Sequence, residues 1–353
     1  MKIWILPLVG QKKWGISLKK VITVALGLYF LMYLLPLVAL GSGGTELGET
    51  GGALPTASLH INRPVQSGGR DADQTVRVKM EDGSIQELAM DDYLWRVVAA
   101  EMPASFEQEA LNAQAVAART YTVVKQSRVT ANHPEADICT DVTCCQAYIT
   151  PEQAAANWGE SAENYTAKIT QAVEETDSQV ILYEGEPIQA VFFSSAAGET
   201  LAAVEVWGSE VPYLSGVTSP EGEEVPNYRT QVTVDAQTFR DTLLAAYPEA
   251  DLSGEPSNWL GEVKLNSAGG VAYQTLGGVE VPGAELRTLF SLRSTSFELT
   301  AEGETLIFSV TGYGHGVGMS QYGANAMAKE GADYREILCW YYTGVTVESC
   351  PLW

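Results

Sequence analysis

One carboxylate lies on the apolar face of a predicted helix. Leu94, Val97 and Val98 are spaced i, i+3 and i+4 and form one apolar stripe, which Glu101 continues at i+7. Burial on such a face disfavours the ionised carboxylate and raises its pKa, so the group can keep a proton near neutral pH. The pattern favours a general acid acting on a leaving oxygen. The alternatives are a glutamate that turns into solvent or pairs with an arginine such as Arg119.

A second group of chemically active residues lies in a short polar loop. The run H-P-E-A-D-I-C-T-D-V-T-C-C contains His133, Cys139, Cys144 and Cys145. Imidazole and thiolate groups at this density are typical of a zinc site. A disulfide from Cys139 to another cysteine of the loop is the alternative outside the cytoplasm.

A glycine-rich segment, G-H-G-V-G-M-S-Q-Y-G-A, covers residues 314–324. Its glycines allow the backbone to approach a ligand closely, and His315, Ser320 and Gln321 can hydrogen-bond ligand hydroxyl groups. The alternative is a tight turn that leads into a helix capped by Ser320. A serine nucleophile is disfavoured, since no strand-turn-helix nucleophile elbow is present.

Hydrophobic periodicity predicts the elements that must position these residues. V-R-V-K-M and I-Q-E-L-A-M alternate around E-D-G-S, which predicts a hairpin. Asp91 or Asp92 is expected to cap a helix through Met102, and Ser105 with Gln108 resembles a capping box that opens a second helix to about residue 128. Further helices are predicted over 162–176, 236–246, 323–330 and 333–341, and strands over 179–183, 188–194, 229–234, 262–266 and 305–310.

These elements predict an α+β fold with two lobes and a cleft between them. A helical lobe is expected from about 76–177 plus 311–353, and a β-rich lobe from about 178–310. Residues 41–75 are rich in Gly, Ser, Thr and Pro, which is typical of a flexible tether.

The N-terminal 40 residues have the pattern of a membrane anchor. Residues 21–40 contain no charge and are long enough to cross a bilayer, and the lysines within 1–20 place that segment in the cytoplasm. A cleaved signal near Ala39 is the alternative. In either case the remaining chain lies outside the cytoplasm, where an odd count of five cysteines leaves at least one unpaired. Cys339 and Cys350 are candidates for a pair near the C-terminus.

Charge restricts the possible ligands of the exported part. The whole chain has a formal net charge of −23, and the five lysines before residue 41 leave −28 for the rest. A phosphate backbone needs clustered basic residues, so nucleic acid is excluded as a partner. An uncharged or weakly charged polymer fits better.

The runs at 93–121 and 314–324 resemble the SpoIID family of stage II sporulation proteins. Shorter runs at 187–195, 206–214 and 292–297 are also similar, so the resemblance extends from about residue 76 to 347. It implies a membrane-anchored lytic transglycosylase that cleaves MurNAc–GlcNAc bonds of peptide-stripped peptidoglycan strands during spore engulfment. The products are 1,6-anhydro sugars.

The resemblance also assigns site residues. Glu101 matches the single catalytic acid and base, although Asp137 and Asp141 are candidates for an assisting carboxylate. His133, Cys139 and Cys145 match a zinc set, which implies a structural zinc and no metal requirement for catalysis. The residues expected to bind substrate are Arg119, Ser194, Ser195, Tyr213, His315, Ser320 and Gln321.

Two of these assignments have open alternatives, and one nearby position departs from the family pattern. Arg119 can equally form a structural salt bridge, and Tyr213 can pack in the core rather than stack on a sugar. Ser215 stands where the family commonly has lysine, which removes a cation from the groove.

The resemblance further implies the amidase SpoIIP and the membrane protein SpoIIM as partners. It places the anchor in the mother-cell membrane, with the ectodomain facing the septal space. The competing functional hypothesis is a non-catalytic wall-binding protein that stimulates a partner amidase.

Overall fold

The computed structural model describes residues 70–353, so the predicted cytoplasmic segment, the membrane anchor and most of the tether lie outside the described residues. The chain divides into Met1–His60 and Ile61–Trp353, and only the second unit is described below. Between residues 70 and 353, no helix combines the length and the apolar character needed to cross a bilayer.

Helices and strands alternate along the described chain, as an α+β fold requires. The α-helices are α1 (Met90–Glu101), α2 (Gln108–Gln126), α3 (Pro151–Trp158), α4 (Ala162–Glu175), α5 (Ala203–Trp207), α6 (Ala236–Ala246), α7 (Gly283–Leu289), α8 (Gln321–Lys329) and α9 (Tyr334–Tyr341). The strands are β1 (Thr75–Lys79), β2 (Ile85–Ala89), β3 (Ile138–Cys139), β4 (Gln179–Tyr183), β5 (Glu186–Pro187), β6 (Phe192–Phe193), β7 (Arg229–Asp235), β8 (Leu260–Leu265), β9 (Val271–Leu276), β10 (Val279–Pro282), β11 (Phe297–Glu302), β12 (Thr305–Thr311), β13 (Met319–Ser320) and β14 (Thr346–Ser349).

The N-terminal hairpin is confirmed, but the two predicted helix caps are wrong. β1 and β2 pair antiparallel. Helix α1 begins at Met90 without a side-chain cap, because the Met90 N–H bonds to the carbonyl of Gln74 at 2.8 Å and needs no capping carboxylate. Helix α2 is preceded by Glu107, while Ser105 lies in a turn closed by a bond from Phe106 N to the Pro103 carbonyl at 2.9 Å.

Two hydrophobic cores organise the described residues. The first core surrounds α1 and α2 and includes α4, α9 and the three-stranded sheet β14-β4-β5. Val180, Ile181 and Leu182 of β4 are buried in it, because β14 returns from the C-terminal part of the chain to pair with β4. Apolar residues between Val180 and Val217 therefore pack in the first core, although residues 178–310 are predicted as one β-rich lobe.

The second core lies between two small antiparallel sheets, β11-β12-β7 and β10-β9-β8. Phe239 of α6 is fully buried there and stacks on Phe290, with ring centroids 4.8 Å apart. Strand β7 begins at Arg229, so this β-rich subdomain is shorter than the sequence predicts.

The folded region also begins earlier than the predicted end of the tether at residue 75. Residues Arg70–Asp73 form a short 3-10 helix, and the Asp71 carboxylate is buried against Arg119. A segment that supplies the buried counter-ion of a core arginine is part of the fold, which explains why the composition-based boundary is too late.

Candidate active site and metal centre

Glu101 is the last residue of helix α1 and is half-buried. Its Oε1 accepts a hydrogen bond from the backbone N–H of Ala147 at 2.6 Å. Burial raises the pKa of the carboxyl group, and this bond opposes the rise only partly. In the described part of the chain no basic side chain pairs with Glu101. The geometry is that of a carboxylic acid able to hold a transferable proton.

Gln321 anchors the backbone that carries Glu101. Its Nε2 donates to the backbone carbonyl of Glu101 at 3.0 Å and to Oε1 of Gln114 at 3.3 Å. Because Gln321 is only 6% exposed, its amide nitrogen is used to hold the end of α1. Gln114, a fully buried polar residue on the alanine-rich face of α2, is not among the residues that the sequence pattern predicts for the site.

Ser320 caps helix α8 and is fully buried. Its Oγ accepts a bond from Gly323 N at 3.3 Å and donates to the carboxylate of Glu221. Glu221 also accepts from Ala196 N and from Ser219 Oγ, each at 2.6 Å. This confirms the capping alternative for Ser320, and its neighbour Gln321 is thereby fixed against Glu101.

Glu221 is another residue that sequence reasoning missed. It lies in the run S-P-E-G-E-E, whose composition is typical of an exposed turn, yet only 4% of Glu221 is exposed. Its burial depends on donors more than 20 and almost 100 residues away, Ala196 and Ser320. No local pattern indicates such a contact.

His315 stabilises the glycine-rich loop, defined here as Gly314–Gly318. Its Nε2 lies 3.1 Å from the Phe192 carbonyl, and its Nδ1 accepts from Val317 N at 3.1 Å. Nε2 therefore carries the proton and donates. Burial lowers the pKa of His315 to about 4, so the ring is neutral at pH 7.

The other residues predicted to bind substrate are buried or half-buried in the structure. Ser195 is 3% exposed and exchanges backbone bonds with Tyr313, at 3.0 and 2.8 Å. Ser194 is half-buried, and its carbonyl accepts from Tyr322 N at 3.0 Å. The Tyr213 hydroxyl accepts from Gln189 N at 3.2 Å. The Tyr213 ring packs on another tyrosine, as the core alternative expects.

Arg119 is a buried structural residue. Its guanidinium bonds Asp71 in a forked arrangement, with its shortest distance 2.7 Å, and its side chain has no exposed surface. It also donates to the Gln179 carbonyl at 3.1 Å. This is the salt-bridge alternative, with Asp71 in place of Glu101, and the enclosed guanidinium cannot contact a glycan.

The two other acids considered beside Glu101 are bonded elsewhere. Asp137 forms an ion pair with Arg77 at 2.6 Å. Asp141 accepts from the N–H and the hydroxyl of Thr143 at 2.8 and 2.7 Å. Neither makes a hydrogen bond to Glu101, and burial rather than a nearby carboxylate raises the pKa of Glu101.

The cysteine loop brings four potential metal ligands together. One donor atom from each of His133, Cys139, Cys144 and Cys145 lies within 4.8 Å of the others. Cys145 Sγ is 3.3 Å from His133 Nε2, while His133 Nδ1 lies 3.1 Å from the Ala136 carbonyl. A proton on Nδ1 leaves the Nε2 lone pair facing the thiols, the arrangement that zinc-binding histidines use.

All five cysteines are free thiols in this structure. The predicted pairing of Cys339 with Cys350 is therefore wrong. Cys339 is exposed and donates weakly to the Val345 carbonyl at 3.7 Å, while Cys350 is 2% exposed and packs in the first core.

This chain is similar in sequence to known sporulation proteins. The family model described as SpoIID, stage II sporulation protein, matches residues 79–183. Stage II sporulation protein D of Bacillus subtilis (strain 168) is 38% identical over 75% of this chain and 76% of its own length. The protein of the same name from Bacillus amyloliquefaciens is 31% identical over 94% of this chain and 96% of its own length.

The chain belongs to the SpoIID family of sporulation proteins. A further relative is named amidase enhancer, from Bacillus subtilis (strain 168), and is 29% identical over 72% of this chain and 40% of its own length. The family thus joins sporulation proteins to a relative whose name refers to an amidase.

Proposed function

We propose that this protein is a lytic transglycosylase that cleaves MurNAc–GlcNAc bonds in peptide-stripped peptidoglycan strands during spore engulfment. The observation that carries the proposal is the Glu101 carboxyl, half-buried, with a raised pKa and no basic partner among residues 70–353. Sporulation-family membership supports the biological setting.

In this mechanism one residue acts twice. Protonated Glu101 donates its proton to the glycosidic oxygen, and the C1–O bond to GlcNAc breaks. The resulting carboxylate then removes the proton of the MurNAc 6-hydroxyl as that oxygen bonds to C1, which closes the 1,6-anhydro ring and restores the acid. A two-carboxylate glycosidase needs a second acid at a defined distance, whereas burial, and no nearby carboxylate, raises the pKa of Glu101.

The residues that we assign to support Glu101 are Gln321, through the backbone carbonyl, and Ala147, through its N–H. We assign to the cysteine loop a structural zinc, held by His133, Cys139 and Cys145 with Cys144 as the fourth ligand. Four protein ligands make a closed site that stabilises a loop. No step of the glycan reaction is assigned to the metal.

Incubation of peptide-free glycan strands with the chain and with Glu101→Gln tests this proposal. Mass spectrometry should detect anhydro-ended fragments with the wild type and none with the variant. The variant should be at least as resistant to heat, since a neutral amide replaces a partly desolvated acid. Reducing ends would indicate hydrolysis and contradict the proposal.

A second candidate function is stimulation of a wall amidase without catalysis, favoured by the relative named amidase enhancer. A folded wild type that cuts no strand but accelerates an added amidase would support it. We propose the amidase SpoIIP and the membrane protein SpoIIM as partners under either function. Attachment to the mother-cell membrane through residues 21–40 completes the proposal.

A further inference from the structure

Two arginines beside the glycine-rich loop have no acidic partner. The chain has 44 acidic and 21 basic residues, so carboxylates outnumber cations about two to one. Within residues 70–353, Arg287 and Arg293 nevertheless form no ion pair, and their side chains make no hydrogen bond to the protein. Half-buried cations without a partner are costly, which points to an external anion.

Arg293 is held by its backbone and by an aromatic ring. Its carbonyl accepts from Gly314 N at 2.9 Å, which joins it directly to the start of the glycine-rich loop. Its guanidinium carbon lies 4.1 Å from the centroid of Tyr313, a residue with 45% of its surface exposed. Stacking uses the face of the guanidinium and leaves its N–H edge for a ligand, although Nε is buried and unbonded.

Arg287 approaches the same loop from helix α7. Its positive charge lies close enough to His315 to contribute to the lowered pKa of that imidazole, and close enough to Tyr313 to interact with the phenol. Leu292 N donates to the Arg287 carbonyl at 2.8 Å and closes the turn between the two arginines. Arg293 therefore contacts the Tyr313 ring, and Arg287 lies within electrostatic range of the same phenol.

We propose that Arg287 and Arg293 form a carboxylate-binding site, and that its ligand is the lactyl carboxylate of MurNAc in peptide-stripped strands. This inference rests on the proposed function. A guanidinium matches a planar carboxylate with two parallel hydrogen bonds. In intact peptidoglycan the lactyl group is bound to the stem peptide as a neutral amide, whereas amide hydrolysis leaves one carboxylate on each disaccharide. The arginine pair thus selects strands that an amidase has already processed.

The position of the site along the chain agrees with a glycan that also reaches Glu101. From Gly314 the loop leads through His315 to strand β13, where Met319 pairs with Phe192. Gln321 follows two residues later and holds the Glu101 backbone. One continuous segment therefore connects the carboxylate site with the catalytic acid.

Binding in the Glu101→Gln background tests the inference, because strands then stay intact. Peptide-free strands are compared with the same strands after their lactyl carboxyl groups are capped as methylamides. Capping should weaken binding about tenfold, the value of one charge-assisted contact at a half-buried site. Arg287→Gln and Arg293→Gln should bind both polymers equally weakly, whereas Arg293→Lys should recover part of the difference.

Arg128→Gln is the matched control, since it removes one exposed positive charge and should keep the full difference. The ratio of the two affinities does not depend on the folded fraction, so a destabilised variant stays informative. Equal binding of capped and uncapped strands, with wild-type cleavage of both, would overturn the carboxylate site alone. Absence of cleavage of either polymer would instead overturn the proposed function.

Discussion

The carboxyl group of Glu101 has one hydrogen-bond donor, the Ala147 N–H, and no charged partner among residues 70–353. Pairing with arginine lowers the pKa of a carboxyl group, whereas burial raises the pKa of Glu101. The chemistry proposed for Glu101 thus depends on the absence of a basic partner among residues 70–353. Arg119 forms its ion pair with Asp71 instead.

The pH dependence of cleavage follows from this environment. Because the pKa of Glu101 is raised above the ordinary 4.5, kcat/KM should fall with increasing pH only at values above 4.5, as the acid loses its proton. Cleavage of peptide-free strands across pH 4 to 9 measures this limb. Binding of the same strands by Glu101→Gln is the control and should lack it. An alkaline limb centred at or below the ordinary value would contradict the assignment.

Asp71 is expected to matter for stability and not for chemistry. Asp71→Ala leaves the Arg119 guanidinium buried without its partner and should destabilise the fold by about 3–5 kcal/mol. Asp71→Ala with Arg119→Met should recover much of that loss, because no charge stays buried. Urea unfolding measures both variants, and equal destabilisation of the single and double variants would show that the ion pair is not the cause.

Helix α8 holds the backbone of Glu101 from the opposite end of the described chain. Ser320 caps it, Gln321 reaches Glu101, and Gly323 faces the buried hydroxyl and carboxylate cluster. A short helix with three contacts of this kind has little freedom to shift without moving Glu101.

Gly323→Ala tests that requirement. An added Cβ would lie 2.0 Å from the Tyr341 hydroxyl and 2.6 Å from Glu221 Oε2, so the helix must move away. We expect a loss of about 1–3 kcal/mol in stability and a lower kcat. Gly222→Ala is the matched control, because its Cβ would meet only the flexible end of Glu224 at 3.4 Å. Equal activity of the two variants would show that α8 tolerates the displacement.

The cysteine loop is the second element with a specific expectation. If zinc is bound as proposed, elemental analysis of the purified chain should give about one zinc per molecule, held by four protein ligands. Cys145→Ser should lower both the metal content and the melting temperature, whereas Cys339→Ser should change neither, since Cys339 lies outside the cluster. Full metal content in Cys145→Ser would contradict this ligand set.

At the scale of the whole molecule, the two hydrophobic cores support different candidate functional residues. The first core contains Glu101, Gln321 and the cysteine loop, while the second supports α7 and the turn that carries the two unpaired arginines. Catalysis and the proposed recognition of stripped strands therefore depend on different cores joined by the glycine-rich loop.

The full chain is predicted to be attached to the membrane through residues 21–40. Cells that produce the full sequence should retain the protein in the membrane fraction, because residues 21–40 are long enough and apolar enough to span it. A chain that starts at residue 41 should be released on lysis. Fractionation and immunoblotting compare the two, and release of the full chain at its calculated mass would contradict a retained anchor.

The sequence predicts those parts of the structure that depend on residues close together in the chain. Helix α6 is predicted over 236–246 and is observed at those bounds, where the Asp235 side chain accepts from Thr238 N and caps it. The position of Glu101 on the apolar face of α1 also follows from residues within two turns of it. The partners of Arg119, Ser320 and Gln321 lie 48, 99 and 220 residues away, and sequence spacing carries no information about such contacts.

The pairing of β14 with β4 has a consequence for the timing of activity. Gln321 and β14 come late in the chain, yet they hold Glu101 and complete the first core. Under the proposed membrane attachment, the ectodomain is exported from residue 41 onward, so Glu101 emerges more than 200 residues before Gln321, which holds its backbone. The support of Glu101 is complete only after Gln321 and β14 have been exported, so under the proposed function a partly exported chain lacks an assembled catalytic acid.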